Sequence, residues 1–392
     1  MRNAEFAAAP PIDLTNATSG SLTQHPPPRG VELTIVVPTF SERENVGELV
    51  ERIRRTLQGV SWEIVFVDDD SPDGTADAIR NLAAVDARVR CLQRIGRRGL
   101  SSACVEGMLS SSAPYLAVMD ADLQHDEAVL PRMLAVLREE DVDIVVGSRY
   151  VEGGSLGEWG QSRVKISKLA TRISQLVVPA NLHDPMSGFF MLKREVFKSS
   201  VRSLSAIGFK ILVDLFASHK PALRFKEIPY TFKPRTAGES KLDGQAVWDY
   251  AMLLLDKMIG HLVPVRFVSF AVIGGLGVGV HMLVLSSLFI TQATDFVSGQ
   301  AAATGVAMVF NFAVNNLLTY RDRRLRGARW LKGLLSFVVV CSVGAFANVG
   351  VANYLFAQSG GWIAAALSGI LVGAVWNYAV SSVYTWGGSK KR

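Results

Sequence analysis

Cysteine is scarce in this chain. Cys91, Cys104 and Cys341 are the only three, and their spacing suits neither a zinc site nor a disulfide-dense secreted scaffold. A reducing cytosol is the compartment this implies, with no disulfide expected. Charge is scarce in one region only: from about Val263 to Trp386 it nearly vanishes outside a single loop, a composition suited to lipid rather than water. The first thirty or so residues lack the apolar core of a signal peptide. With Pro10-Pro11 and Pro26-Pro27-Pro28 among Ala, Thr and Ser, they read as a flexible tail, so entry to the membrane falls to the later spans. Nor does the net charge of +6 point to nucleic acid. Its clearest clusters, Arg321 to Lys332 and Lys390 to Arg392, flank apolar spans, as the positive-inside rule explains.

From Val31 to about Asp243, charged and apolar residues mix as in a soluble globular domain. Glu32 to Pro38 reads as a first strand, followed by a helix to about Leu57 for which Ser41 and Glu44 have capping-box spacing. Trp62 to Val67 is a second strand that runs into Asp68-Asp-Asp-Ser-Pro-Asp-Gly-Thr75. A third strand over Val89 to Gln93, a helix from about Leu100 and strands at Leu116 and Asp143 to Val146 complete a β-α alternation, hence a mainly parallel sheet. The stretch Tyr115-Leu-Ala-Val-Met-Asp-Ala-Asp-Leu-Gln-His125 is the centre of the reading. It is an apolar run that ends in two carboxylates and an amide. In an extended chain, alternation sends Asp120, Asp122 and Gln124 to one face, an oxygen-rich claw for Mg²⁺ or Mn²⁺. Acidic residues also end the second strand, where they serve either as turn and cap chemistry or as hydrogen-bond acceptors for a base or ribose. Ligands of open α/β sheets sit at such strand ends, so the two acidic ends suggest a nucleotide diphosphate held by a metal.

Seven stretches occur in one order: Val36-Val-Pro-Thr-Phe-Ser-Glu-Arg-Glu-Asn45, Val67-Asp-Asp-Asp-Ser-Pro-Asp-Gly-Thr75, Met119-Asp-Ala-Asp-Leu-Gln-His125, Gly147-Ser-Arg-Tyr150, Asp184-Pro-Met-Ser-Gly-Phe-Phe190, Gly208-Phe-Lys210 and Gly238-Glu-Ser-Lys-Leu242. Together they resemble the dolichol-phosphate mannose synthase group of family 2 glycosyltransferases. The resemblance implies an α/β, GT-A (nucleotide-diphospho-sugar transferase) fold and inverting transfer of one sugar from a nucleotide donor to a polyprenyl phosphate. It implies Pro38, Glu42 and Asp69 for the nucleoside, and Asp120, Asp122 and Gln124 for the metal. It also implies Arg149, Arg163 and Ser167 for the acceptor phosphate, and Arg235 and Lys241 as cations that close over the donor phosphates. Asp122, Arg149 and Arg163 would carry the catalysis. Asp70 and Ser101 stand where the family commonly has glycine, and Asp214 where it has glutamate.

The residues support this chemistry on their own terms. Arginine forks suit phosphate oxygens, which makes Arg149 at a strand end and Arg163 at the start of a helix candidate anion clamps. A phosphate monoester with a second pKa near 6 is largely dianionic at neutral pH and needs no general base. Two segments, Val164 to Val178 and Ala246 to Ile259, carry apolar residues at helical spacing and suit either a membrane interface or packing on the soluble core.

Four apolar segments of spanning length fall at about 265–290, 297–319, 331–357 and 362–386. The basic connection Arg321 to Lys332 puts that side, both termini and the transferase domain in the cytosol, on an inner or cytoplasmic membrane. Gly275/Gly279 and Gly369/Gly373 have close-packing spacing. His281, Asn311, Asn315, Asn316, Asn348 and Asn377 read as interhelical hydrogen-bonding groups. Asn311-Phe-Ala-Val-Asn-Asn-Leu-Leu-Thr-Tyr-Arg321 resembles GtrA-type membrane modules, which are associated with lipid-linked sugar translocation.

The expected organisation is a disordered tail (1–30), a GT-A domain (31–243), an interfacial amphipathic helix (244–262) and a GtrA-like domain of four transmembrane helices (263–392). The expected partners are a nucleotide sugar (GDP-mannose or a UDP-hexose), a dolichyl or undecaprenyl phosphate and the membrane, with no nucleic acid. Two readings compete. A processive polysaccharide synthase would carry a Gln-x-x-Arg-Trp motif, which is absent. A lipid-linked sugar translocator with an inactive transferase domain would not need the acidic claw and its cations.

Overall fold

The computed structural model describes residues 30–155, 157, 171–175, 177–178, 180–206, 208–233, 244–260, 262–291, 295–359 and 362–387. A seven-stranded sheet forms the first body: β1 (Leu33–Thr39), β2 (Trp62–Asp68), β3 (Val89–Gln93), β4 (Tyr115–Val118), β5 (Ile144–Ser148), β6 (Phe190–Lys193) and β7 (Phe225–Pro229). Their order is β3-β2-β1-β4-β6-β5-β7. Only β6 runs antiparallel to its neighbours, so β3, β2, β1, β4, β5 and β7 all end at one edge of the sheet. β1 and β2 are buried on nearly every residue, as strands covered on both faces must be. Helices α1 (Val46–Thr56), α2 (Thr75–Val85), α3 (Leu100–Leu109), α4 (Leu130–Glu139), α5 (Arg194–Ser200) and α6 (Ile211–Ser218) cover the sheet. One apolar core gathers Leu49, Ile53, Phe66 and Met133, and the other gathers Val36, Cys104, Leu192 and Phe216.

The start of α1 departs from the expected capping box. Asn45 precedes the helix, and Ser41 takes a left-handed backbone (φ 58°) with its N–H on Ser71 Oγ. The loop after β2 is the competitor that wins. Glu42 N donates to Thr75 Oγ1 and Arg43 N to Asp73 Oδ2, which draws residues 41–43 away from the helix axis.

Helix α7 (Gly244–Ile259) follows. Its Leu253 and Leu254 pack into the core of the first body, while Val247 and Met258 are exposed. Of the two amphipathic readings, this helix therefore takes core packing on one face. Residues 164–170, the first half of the other candidate segment, lie outside the described residues.

Among the described residues, four helices are long and apolar enough to cross a membrane: α8 (Val265–Ile290), α9 (Phe296–Leu317), α10 (Ala328–Ser359) and α11 (Trp362–Tyr384). They form two hairpins that repeat one another. Val309-Phe-Asn-Phe-Ala-Val314 and Thr319-Tyr320 return as Val375-Trp-Asn-Tyr-Ala-Val380 and Thr385-Trp386, and Ser269-Phe270 returns as Ser336-Phe337. The contacts repeat as well. Ser269 Oγ bonds Thr319 Oγ1 at 2.7 Å, and Ser336 Oγ bonds Thr385 Oγ1 at 3.0 Å. Gly277 lies against the Asn311 amide, and Gly344 against the Asn377 amide; a Cβ on either glycine would collide with it. At one end the hairpins meet in an aromatic cluster of Phe270, Phe312, Phe337, Tyr320 and Trp386. The last two rings stack at 4.0 Å and 5°.

The expected close approach at Gly275/Gly279 is corrected by this geometry, because neither has a neighbour within 4 Å of a built Cβ. Gly277 faces the partner helix instead, since helical rotation sends positions two apart to different faces. Gly369 and Gly373 do meet α10, at Asn348.

Candidate functional site

Strand order reverses between β1 and β4, and the crevice at such a reversal is where open α/β sheets bind ligands. Around it, the carboxyl ends of β2, β1, β4, β5 and β7 deliver Asp68 to Asp70, Thr39 to Glu42, Met119 to Gln124, Arg149 and Tyr230 to Lys233.

On the β2 side, Asp69 is buried (7% exposed) and its N–H bonds Thr39 O, which ties the loop to β1. Its carboxylate is held by Arg94, itself only 1% exposed. Arg94 Nε donates to Asp69 Oδ1 at 2.7 Å, and Nη2 reaches the same oxygen at 2.6 Å. The rest of that guanidinium goes to Ser102 Oγ, Glu106 Oε1 and Gly99 O. Gly99 N, at the start of α3, donates to Asp69 Oδ2 at 2.7 Å. Asp68 serves its own turn, accepting from Ser71 N and Oγ. Asp70 sits in the left-handed region (φ 58°), a conformation glycine takes without strain, and accepts from Gln93 Nε2. Ser101, at the other position where glycine is common, is fully buried. Pro38 lies in β1 opposite Val67, and Glu42 accepts from Asn45 Nδ2.

On the β4 side, the expected alternation is replaced by a turn. β4 stops at Val118, and Leu123 has a left-handed backbone (φ 60°), so 120–124 is not extended. Asp120 is partly exposed, whereas Asp122 and Gln124 are buried. Gln124 N donates to Asp122 Oδ1 (3.2 Å). The Gln124 amide Nε2 donates to Lys233 O (3.0 Å) and Lys233 N to Gln124 O (2.9 Å), which ties this loop to the one after β7. His125 sits beneath, 2% exposed, with Nδ1 3.0 Å from Tyr230 Oη and Nε2 3.2 Å from Asp120 Oδ2. Burial pushes the Tyr230 phenol far above its ordinary pKa, so it stays protonated, and its hydroxyl shares a hydrogen bond with Nδ1. A carboxylate can only accept, so Nε2 is the donor when it bonds the Asp120 carboxylate. Among the described residues no three His, Cys, Asp or Glu side chains gather as a metal cluster; the oxygen donors here are two carboxylates and an amide.

Arg149, after β5, has its fork engaged by a carboxylate. It is 8% exposed and its Nε and Nη2 donate to the two oxygens of the buried Asp184, each at 2.8 Å. Burial by itself would lower the guanidinium's pKa. The Asp184 carboxylate outweighs that and raises it, so the charge persists. The Phe232 ring lies 5.3 Å from its Cζ. Arg149 is thus a fixed cation in a wall of the site. Arg163, Ser167, Arg235 and Lys241 lie outside the described residues. Asp214 is fully buried and paired with Lys257 of α7 at 2.6 Å, a structural place rather than one at the strand-end edge.

Arg94 and Tyr230 are the site groups that sequence reasoning passed over, and His125 and Asp184 stood in the motif stretches without a role of their own. Arg94 directly follows β3 as Asp69 follows β2, a positional signal that could have found it. His125 and Tyr230 stand far apart in the chain, and local pattern carries nothing of their contact.

Two family models match this chain: Glycosyl transferase family 2 over residues 34–200, and the GtrA/DPMS transmembrane domain over residues 269–386. A dolichol-phosphate mannosyltransferase of Pyrococcus furiosus is 34% identical over 358 residues, covering 91% of this chain and 99% of that protein. One from Saccharomyces cerevisiae is 34% identical over 238 residues, 58% of this chain and 88% of that one. Among solved structures, glucosyl-3-phosphoglycerate synthase from Mycobacterium tuberculosis, in complex with Mn²⁺, UDP and glucosyl-3-phosphoglycerate, matches with TM-score 0.44 and 15% identity. That match covers 58% of this chain and 80% of that one.

Proposed function

The chain belongs to the dolichol-phosphate mannosyltransferases of glycosyl transferase family 2, and on that premise we propose that it transfers one mannose from GDP-mannose to a polyprenyl phosphate with inversion. It is a glycosyltransferase with four apolar helices of membrane-spanning length. The observation that carries the proposal is the meeting of Asp69, Asp120, Asp122 and Arg149 along one edge of the sheet, on both sides of the switch point.

In this reading Pro38, Glu42 and Asp69 hold the nucleoside, with Asp69 aimed by Arg94 and the first turn of α3. Asp120, Asp122 and Gln124 would hold a divalent cation. The donor set fits one: two carboxylates and an amide are hard oxygen ligands, and Gln124 has committed its nitrogen to Lys233 O, which leaves its oxygen as the acceptor. When bound, Mg²⁺ or Mn²⁺ supplies neutralisation of the diphosphate. His125 and Tyr230 keep Asp120 oriented. The acceptor's phosphate oxygen attacks the anomeric carbon, the bond to the diphosphate oxygen breaks and GDP departs, which gives a β-linked product from an α-linked donor. Arg149, fixed by Asp184, lends positive charge on the acceptor side together with Arg163 and Ser167, while Arg235 and Lys241 close over the donor phosphates. The exposed basic connection between α9 and α10 supports a cytosolic placement of the transferase domain and both termini.

Membranes containing the protein are supplied with undecaprenyl or dolichyl phosphate and a panel of labelled GDP- and UDP-hexoses. The expected result is a labelled lipid from GDP-mannose, lost in excess chelator and restored by Mg²⁺ or Mn²⁺. A UDP-hexose as the only productive donor would overturn the donor assignment, and chelator-resistant transfer would overturn the cation site.

A further inference from the structure

The repeat in the membrane half makes its departures from symmetry informative. Matching Ser269-Phe270 to Ser336-Phe337 sets Arg266 against Gly333, and matching Thr319-Tyr320 to Thr385-Trp386 sets Arg321 against Gly387. Arg266 and Arg321 therefore have no charged counterpart at the matching positions of the second hairpin, although Arg329 and Lys332 open α10. Arg266 Nη2 bonds Asp322 Oδ2 at 2.8 Å, and Arg321 Nη1 bonds Asp249 Oδ2 of α7 at 2.7 Å. Arg321 follows Tyr320, whose ring is stacked on Trp386, while Trp386 Nε1 donates to Asn316 Oδ1. Arg321 thus projects from a rigid platform.

On the other side of the pair, Asp249 is the floor on which a site segment rests. Gly208 (φ 70°) packs on it so closely that a Cβ would stand 3.2 Å from the Asp249 Cβ. Gly208 O accepts from Ser101 N in the first turn of α3, the turn whose Gly99 N holds Asp69. Two residues on, Lys210 Nζ donates to Met186 O at 3.0 Å, beside the Asp184 that fixes Arg149. Helix α7 is pinned from beneath by Lys257 on Asp214. Residues 208–210 therefore touch both the donor and the acceptor wall, and their support is a helix paired with the membrane hairpin.

We propose that Asp249 and Arg321 are positioning residues: the first hairpin of the membrane domain sets the spacing of the two walls of the transferase site through α7 and residues 208–210. The activity readout rests on the reading above. The partly exposed pair is worth a factor of about five at most, which sets the size of the expected effects.

The test uses the full chain in nanodiscs of phosphatidylcholine and phosphatidylglycerol, as wild type, Asp249→Asn, Arg321→Gln and the charge exchange Asp249→Arg with Arg321→Asp. Hydrogen exchange over 98–105 and 208–214 is read alongside kcat, KM for polyprenyl phosphate and nucleotide affinity by calorimetry. Each single variant is expected to speed exchange at both segments and to lower kcat about fivefold, with nucleotide affinity within about twofold and unfolding temperature unchanged. The charge exchange should recover both readouts. Wild-type exchange and kcat in both single variants would overturn the proposal, as would a folded charge-exchange variant as impaired as the singles. Absence of transfer by wild type would sink the functional reading instead, and exchange at the two segments would still decide the joint.

Discussion

Replacing Arg94 by methionine tests the donor side of the site most sharply, because this arginine is both a structural ion and the group that aims Asp69. Its guanidinium is 1% exposed, and its N–H groups go to Asp69, Ser102, Glu106 and Gly99 O. Methionine restores most of the volume, so cavity formation is a minor part of the cost. The larger part is the Asp69 carboxylate, left 7% exposed with Gly99 N still donating to it. Removing one partner of a buried pair costs about 3–5 kcal/mol, mostly the penalty of stranding the other charge. At roughly 2–4 °C per kcal/mol for a domain of this size, the detergent-solubilised protein should unfold about 6–20 °C lower. Adding Asp69→Asn removes the stranded charge, so the double variant should regain most of that temperature. Sugar-nucleotide affinity, read by calorimetry, should stay at least about tenfold weaker in both, because neither presents an oriented carboxylate to the nucleoside. An Arg94→Met protein that unfolds within about 2 °C of wild type would refute the buried-pair argument. A double variant that is stable and binds nucleotide normally would remove Asp69 from the site.

Asp122→Ala should lower transfer by orders of magnitude, since the electrostatic contribution it supports is worth several kcal/mol; near-normal turnover by the purified variant would exclude it. Gly107→Ala sets helix propensity against packing. Alanine gains about 1 kcal/mol in a helix, but its Cβ would overlap Val36 Cγ1 and stand 2.9 Å from Val67 Cγ2, both on stiff β-branched side chains. An overpacking cost of about 2 kcal/mol, mid-range because both neighbours are stiff, exceeds that gain by about 1 kcal/mol, and thermal unfolding should fall by about 2–4 °C rather than rise. Asp86, bonded by Arg88 and Arg54, has its carboxyl held well below the usual range, so its contribution is present above the unfolded value of about 3.9 and fades as pH falls below it. The difference in unfolding temperature between wild type and Asp86→Asn should be full at pH 6 and shrink steadily below about pH 4; a constant gap would contradict the linkage.

What the sequence determined by itself was whatever local pattern encodes. Short apolar runs closed by turn residues read as strands at Leu33, Trp62, Val89 and Tyr115, and long uncharged runs read as four spanning helices, because burial in a sheet or in lipid demands those periods and lengths. Acidic residues at two strand ends marked the site for the same reason: polar groups directly after a buried strand lie at the sheet's edge. Tertiary structure alone decided the insertion of the antiparallel β6 between β4 and β5, the enclosure of Arg149 by Asp184, the Arg94 to Asp69 pair, and the His125 to Tyr230 bond that links the loops after β4 and β7. Rotation about the helix axes likewise made Gly277, rather than Gly275 or Gly279, the point of close approach. The hairpin repeat was present in the sequence, but its identities are few and spaced at helical intervals. Paired contacts such as Ser269 with Thr319 and Ser336 with Thr385 make it plain. In each of these cases the partners are distant in sequence or chosen by a rotation, and hydrophobic period specifies which face is buried without specifying which group will meet it there.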